Sequence, residues 1–266
     1  MLGGRVMHPR NFTVAVMAIA VAELVSVAPL HAQPIPSLRG SISGDFAVQK
    51  VRNGGPESHS WRGSAEIVND ITPNGLQLQA NVEIGEVDPP GDATATARAG
   101  VALLMRSYEG VLAAAFDYGR ARDGVNVDYT SYGGYAGLNL AHNLTVFGKG
   151  GGFNGTQEFD GEYYGAGLIF YPNPNIALTA SADRVDLNNF GDYKDYAISA
   201  EYLFGWFYPT ALFGKYAYSD IPGSIELDTF TMGLRLYLGD DGAWLVEHHR
   251  NDAIRDLYMP VRTFGL

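Results

Sequence analysis

From Leu76 the chain reads Leu-Gln-Leu-Gln-Ala-Asn-Val-Glu-Ile, which sets Leu76, Leu78, Ala80, Val82 and Ile84 on one face and Gln77, Gln79, Asn81 and Glu83 on the other. A period of two is the mark of a β-strand. The beat returns in Tyr164, Ala166, Leu168 and Phe170, and in Ile176, Leu178 and Ala180 against Thr179, Ser181 and Asp183. It returns again in Tyr196, Ile198, Ala200, Tyr202 and Phe204 against Ser199 and Glu201, and in Phe230, Met232, Leu234, Leu236 and Leu238 against Thr229, Thr231, Gly233 and Arg235. Marking each run between turn signals predicts twelve strands. They cover residues 44–51, 58–68, 75–87, 94–106, 110–119, 127–141, 143–152, 160–171, 175–187, 193–205, 207–219 and 226–239. The first two runs alternate least clearly, and a count of ten also fits. Ser107-Tyr108-Glu109-Gly110, Asn143 and Pro172-Asn173-Pro174-Asn175 read as tight turns, each after an even-numbered strand. Longer polar connections, such as Asp88-Pro89-Pro90-Gly91-Asp92 and Asn154-Gly155-Thr156-Gln157-Glu158, follow odd-numbered ones.

Alternation leaves open whether the apolar face meets lipid or a soluble core. Twelve strands enclose more space than the roughly eight whose interior side chains just fill. The apolar face carries Ala80, Ala97, Ala99, Ala114, Ala166, Ala180 and Ala200, which are too small to fill that space. Against hydrocarbon a small apolar residue leaves no void. The expected fold is therefore all-β, a transmembrane antiparallel up-and-down β-barrel of about twelve strands with short turns. A soluble two-sheet sandwich is the competing arrangement. Aromatic residues gather at strand ends, where half-wet rings favour the membrane boundary. Phe170, Tyr171, Phe204, Trp206, Phe207 and Tyr208 are expected at one rim, and Tyr118, Tyr129, Tyr132, Tyr193, Tyr196, Tyr216 and Tyr218 at the other.

The N-terminus carries a different pattern. Arg5 and Arg10 precede an uncharged run from Phe12 to Ala22, and Pro29-Leu30-His31-Ala32 leads into polar sequence at Gln33. That order predicts a signal peptide over residues 1–32, cut after Ala32 or after Ala22. The run is interrupted by Glu23, too early for a helix of about 20 residues to span a bilayer. Residues 33–43 then read as an N-terminal segment, 44–239 as the barrel and 240–266 as a tail. Composition narrows the partners. Only 18% of the residues are charged, against 12% aromatic, which excludes a disordered acidic chain. The absence of cysteine excludes disulfide scaffolds and thiolate metal sites, and 18 basic against 29 acidic residues is the wrong balance for nucleic acid.

With these strands in place, the span 44–239 resembles the bacterial outer-membrane β-barrel proteins of the porin-like kind. Its last strand, Thr231-Met232-Gly233-Leu234-Arg235-Leu236-Tyr237-Leu238, is similar to that family's assembly signal. The resemblance implies that Thr231, Gly233, Leu236 and Leu238 are read by the barrel-insertion machinery, and that the protein lies in the lipid of the outer membrane of a Gram-negative bacterium. Two departures stand out. The family's signal usually ends the chain, whereas here residues 240–266 follow, and no connection is long enough to fold into the channel as in the large trimeric porins.

The polar faces carry Arg62, Arg98, Arg106, Lys149, Lys215 and Arg235 against Glu66, Glu83, Asp117, Asp183 and Glu201. These eleven are the expected lumen lining. The expected function is a small porin or passive channel for small polar solutes. The same balance also fits a salt-bridged interior that merely stabilises a closed, non-conducting barrel. A barrel-embedded lipid-modifying enzyme is the third reading, and it requires a base within reach of a nucleophile. His59 lies between Ser58 and Ser60, but neighbours on a strand point to opposite faces, so His59 reads as a solvated loop residue. No catalytic residue, metal site or cofactor is expected. Lys149-Gly150-Gly151-Gly152 lacks the spacing of a phosphate loop and reads as relief of crowding. Asp183, Asp186, Asn188, Asn189 and Asp192 match no calcium-loop order. The tail, with Trp244, His248, His249 and Arg250, reads as a plug of the lower mouth, a cell-wall contact or a loose terminus.

Overall fold

A computed structural model describes residues 39–254, except 53, 89–92, 123–125, 158, 189–190, 206–207, 224 and 240–243. The predicted signal peptide, Trp206, Phe207, Asn189 and the end of the tail lie outside the described residues. Twelve strands form one closed sheet. They are β1 (Arg39–Val51), β2 (Glu57–Asp70), β3 (Leu76–Asp88), β4 (Thr94–Ser107), β5 (Gly110–Arg122) and β6 (Val127–Ala141). The second half comprises β7 (Leu144–Gly155), β8 (Gly161–Asn173), β9 (Ile176–Leu187), β10 (Gly191–Gly205), β11 (Pro209–Ile221) and β12 (Ile225–Leu238). A short helix, α1 (Leu245–Asn251), follows. Every strand is antiparallel to the next in sequence, and β1 closes the ring on β12 from Gly40↔Leu238 to Val51↔Leu227. The fold is thus the expected up-and-down barrel with twelve strands rather than ten. Closure pairs every strand on both sides, which a β-sheet needs where no water can satisfy its backbone.

The end at which β1 begins and β12 ends is taken as the lower rim. Two-residue turns join β4 to β5, β6 to β7 and β8 to β9 there. The upper connections are a little longer. β1 starts at Arg39, earlier than the alternation at Phe46 and Val48 suggests, because Ser41 and Ser43 carry no apolar signal yet pair with Tyr237 and Arg235 of β12.

The faces divide cleanly. Ile42, Leu103, Leu112, Phe116, Leu138, Ile198, Phe230 and Leu234 are exposed on the outside, and Ala99, Ala114, Ala166 and Ala200 lie exposed among them. Ile198 alone is 62% exposed. A monomer in water does not keep a continuous apolar band of this extent. The alternate positions turn inward and are polar along most of their length, which excludes the soluble sandwich, whose apolar faces would meet each other.

The aromatic positions need correction. Tyr118, Tyr132, Tyr164, Tyr196 and Tyr216 face outward near the upper rim, and Tyr202 and Tyr208 do so near the lower. Tyr129, Tyr171 and Tyr193 instead point inward and are buried. Parity on the strand decides this: Tyr129 and Tyr132 are three residues apart and cannot share a face. His59 is also corrected. It lies on β2 rather than in a loop, half-exposed on the outer face and stacked on Phe46 at 5.8 Å.

Candidate functional site: a charged lumen with a bar across its lower mouth

The inward positions of the twelve strands enclose a cavity of about 230 Å³. Of the eleven side chains singled out from the sequence, Arg62, Glu66, Glu83, Arg98, Arg106, Lys149, Asp183, Glu201, Lys215 and Arg235 line it. Asp117 also turns inward but is buried in the wall, accepting a hydrogen bond from Ser131. The chain's alternation put these residues on one face, and closure of the sheet brings that face together.

Neighbouring strands supply opposite charges at nearly one height. Asp45 of β1 pairs with Arg62 of β2, directly opposite it in the register. Arg62 also reaches Glu83 of β3 at 3.3 Å, and Arg98 of β4 reaches the same Glu83 oxygen at 3.1 Å. The result is a ladder of alternating sign over four strands. Each charge in it has an opposite charge on the next strand, which is what lets ionised groups sit with little water. On the far wall Lys149 meets Asp183 at 3.1 Å, and beside β1 Arg235 of β12 meets Glu201 of β10 at 2.8 Å. Glu201 also accepts from the Tyr237 hydroxyl at 2.7 Å. Glu66 accepts from Ser41 at 3.2 Å, and Lys215 lines the cavity beside its register partner Thr231.

Asp45 and Asp195 belong to this interior and were not among the eleven. Asp45 alternates with Phe46 and Val48, and Asp195 adjoins the outward Tyr196, so the same parity rule finds both. Asp195 accepts from Ser219 at 2.7 Å.

Large rings are kept against the wall by glycine on the adjoining strand. Tyr129 stands opposite Gly119, Phe147 opposite Gly167, and Phe213 opposite Gly233. A Cβ on any of these three glycines would lie 2.2 to 2.5 Å from the ring. Gly233, read from the sequence as part of an assembly signal, has a packing role in the structure. Thr231 and Gly233 face inward on β12, while Leu236 and Leu238 face outward. The crowding expected at Gly150-Gly151-Gly152 is also specific. A Cβ on Gly151 would meet the Tyr132 carbonyl oxygen at 2.0 Å, and one on Gly152 would meet the Tyr132 ring.

Both ends of the lumen are narrowed. Near the upper rim Val127, Tyr129, Phe153, Phe159, Tyr163, Val185, Leu187 and Tyr193 form an inward apolar cluster on β6 to β10. Alternation alone does not reveal it, because these inward positions are apolar where the rest are polar. At the lower rim the chain returns after β12. Leu245 is fully buried among Tyr171, Ala177, Leu203, Ala211 and Tyr237, and its N–H donates to the Pro174 carbonyl at 2.9 Å. His248 stacks on Tyr237 at 4.1 Å, and His249 Nε2 lies 3.3 Å from Glu201. Arg250 donates to the Ala141 carbonyl at 2.6 Å, and Arg106 donates to the Asp252 carbonyl at 2.8 Å. Ile254 and the Gln79 side chain exchange two hydrogen bonds of 2.8 and 2.9 Å. Of the alternatives for the tail, residues 244–254 take the place of a plug.

Among the described residues, His59, His248 and His249 are engaged elsewhere or turned away from a nucleophile. His248 is bound to Asp252 at 2.7 Å, His249 lies between Tyr171 and Glu201, and Ser58, beside His59, donates inward to Gln49. In the calcium candidate, Asp183 is held by Lys149 and Asp192 by Arg184.

No protein-family model matches the sequence, and no curated protein matches it. Solved structures do. The translocator domain of the autotransporter NalP from Neisseria meningitidis is 16% identical with a TM-score of 0.55, over 85% of this chain and 97% of that one. An outer-membrane channel from Pseudomonas putida F1 is 15% identical with a TM-score of 0.57, over 79% and 98%. The KdgM porin in complex with disordered oligogalacturonate is 8% identical with a TM-score of 0.54, over 73% and 98%. The chain has the fold of the bacterial outer-membrane β-barrel proteins.

Proposed function

We propose that this protein spans the outer membrane of a Gram-negative bacterium and forms a narrow passive channel for small polar solutes. The observation that carries this reading is the polar cavity of about 230 Å³ inside a barrel whose outer face is apolar. Lipid solvates the outside, and water and charged side chains share the inside. Export through a cleaved signal peptide, insertion by machinery that reads the β12 segment Thr231 to Leu238, and a surrounding shell of lipid belong to the same reading. So does the likeness of the fold to a porin and to an outer-membrane channel.

Selectivity follows from the lining. Seven basic side chains, Arg250 included, and five acidic ones border the cavity, and Asp45 and Asp117 in the wall bring the acidic number to seven. Such a lumen attracts neither sign strongly and admits polar solutes by size. The test is planar-bilayer recording of the refolded protein. Small discrete openings with weak preference between potassium and chloride are expected. A second reading, a non-conducting barrel stabilised by its paired charges, is favoured by the apolar cluster under the upper rim. Silence from a barrel that migrates as folded, heat-modifiable protein selects it.

A further inference from the structure

We infer that residues 244–254 form a displaceable bar that governs access to the lumen from its lower mouth. The inference rests on the channel reading and adds a gate to it. The segment is anchored at one end by Leu245 in the apolar seat on β8 to β12 and at the other by Ile254 on Gln79 of β3. β9, which contributes Ala177 to that seat, stands six strands from β3 in a ring of twelve, so the segment crosses the mouth from one wall to the opposite one. A helix with its side chains is about 10–12 Å thick. His249, Arg250, Ala253 and Ile254 form part of the cavity wall, so the bar is the cavity's floor.

Three features make it a gate and not a fixed part of the barrel. The ring closes through β1 and β12 alone, and the bar joins no strand as a further sheet member. Its backbone meets the barrel backbone at the Pro174 carbonyl, and its other backbone contacts are to the side chains of Gln79 and Arg106. The groups it covers elsewhere, Gln79, Arg106 and Glu201, are polar and can be solvated by lumen water when it leaves. Two residues must leave apolar seats, Leu245 at one end and Ile254, which packs on Ala102 and Leu104, at the other. The open and closed states therefore differ by two apolar anchors, the His248 stack on Tyr237 and a set of hydrogen bonds that water replaces, and weakening the two anchors shifts the balance towards the open state.

The test uses the full-length chain with Leu245→Glu and Ile254→Pro together. The first places a carboxylate in the apolar seat, and the second removes the N–H that donates to Gln79. Both changes lie outside the strands, so the barrel folds as before, which heat-modifiable migration verifies. Bilayer recordings are expected to show an open probability raised by roughly tenfold or more. An independent reporter is Ala253→Cys, buried at 5% exposure in a chain with no other cysteine. A thiol-reactive reagent should label it slowly in the parent and several-fold faster in the released variant. Equal currents from parent and released variant, both above the lipid background, with equal labelling, overturn the gate and leave the channel standing. No current from either folded barrel overturns the channel, and the gate with it.

Discussion

Lys149 of β7 and Asp183 of β9 meet at 3.1 Å across an intervening strand, and they do so because Gly165 of β8 stands between them. A Cβ on Gly165 would lie 1.9 Å from the Asp183 carboxylate. Both charged side chains are less than a tenth exposed, so parting them leaves two buried charges less well compensated. Gly165→Ala is therefore expected to destabilise the barrel by about 3 kcal/mol. Urea unfolding in lipid vesicles, followed by tryptophan fluorescence, measures it. A loss within ±0.5 kcal/mol would show that the pair finds another geometry.

The outer face makes a prediction of its own. Phe116 sits midway along β5 and is half-exposed to the surroundings. In hydrocarbon, Phe116→Arg costs about 2–4 kcal/mol. The inward Ser181→Asn, at a position that lines the cavity, should cost far less. Vesicle unfolding of the two variants side by side reads the difference, and equal stabilities would contradict the membrane placement.

Ring packing on glycine gives a third. Gly167→Val would push the Phe147 ring off the wall, since even a Cβ there lies 2.5 Å from its Cζ. Phe147 lines the cavity, so the displaced ring moves into the lumen. Stability should fall by about 1–3 kcal/mol, and single-channel conductance should fall with it. Phe147→Leu added to Gly167→Val should recover conductance, whereas stability stays lowered because the new Cβ also lies 2.6 Å from the Ala180 carbonyl oxygen.

Charge balance gives the fourth. Arg62 serves two carboxylates, Asp45 and Glu83, so Arg62→Ala removes one positive charge from a group of three. The reversal potential under a potassium chloride gradient should shift towards cation selectivity. Arg98→Ala should shift it in the same direction, because Glu83 loses its other partner on the ladder.

Much of this molecule is written in its alternation, and the exceptions have physical causes. A strand such as Leu76 to Glu83 declares both faces, because one face must meet lipid and the other water. Parity then places Arg62, Glu83, Lys149 and Arg235 in the lumen without any coordinates. Tyr129, Tyr171 and Tyr193 escape that rule when they are sorted by their nearness to strand ends, since rim aromatics face both ways here. The interior cluster around Phe153 and Tyr163 is hidden for a related reason: inward apolar residues break the alternation that identifies inward positions. The sequence offers a plug as one of three readings of the tail and does not choose among them. The bar's seven-residue helix is too short for a periodic signal, and Gln79 and Ile254 are separated by 175 positions.

The seam between β1 and β12 joins Gly40 to Leu238, residues from opposite ends of the described chain. Until that junction is made, two unsatisfied edges face the surroundings, and each is a template for a stranger's strand. In this register any shorter run of strands leaves two edges with unpaired amides. The last strand to be synthesised is the one that seals the first, and a chain cut short anywhere before it would be left sticky along two margins.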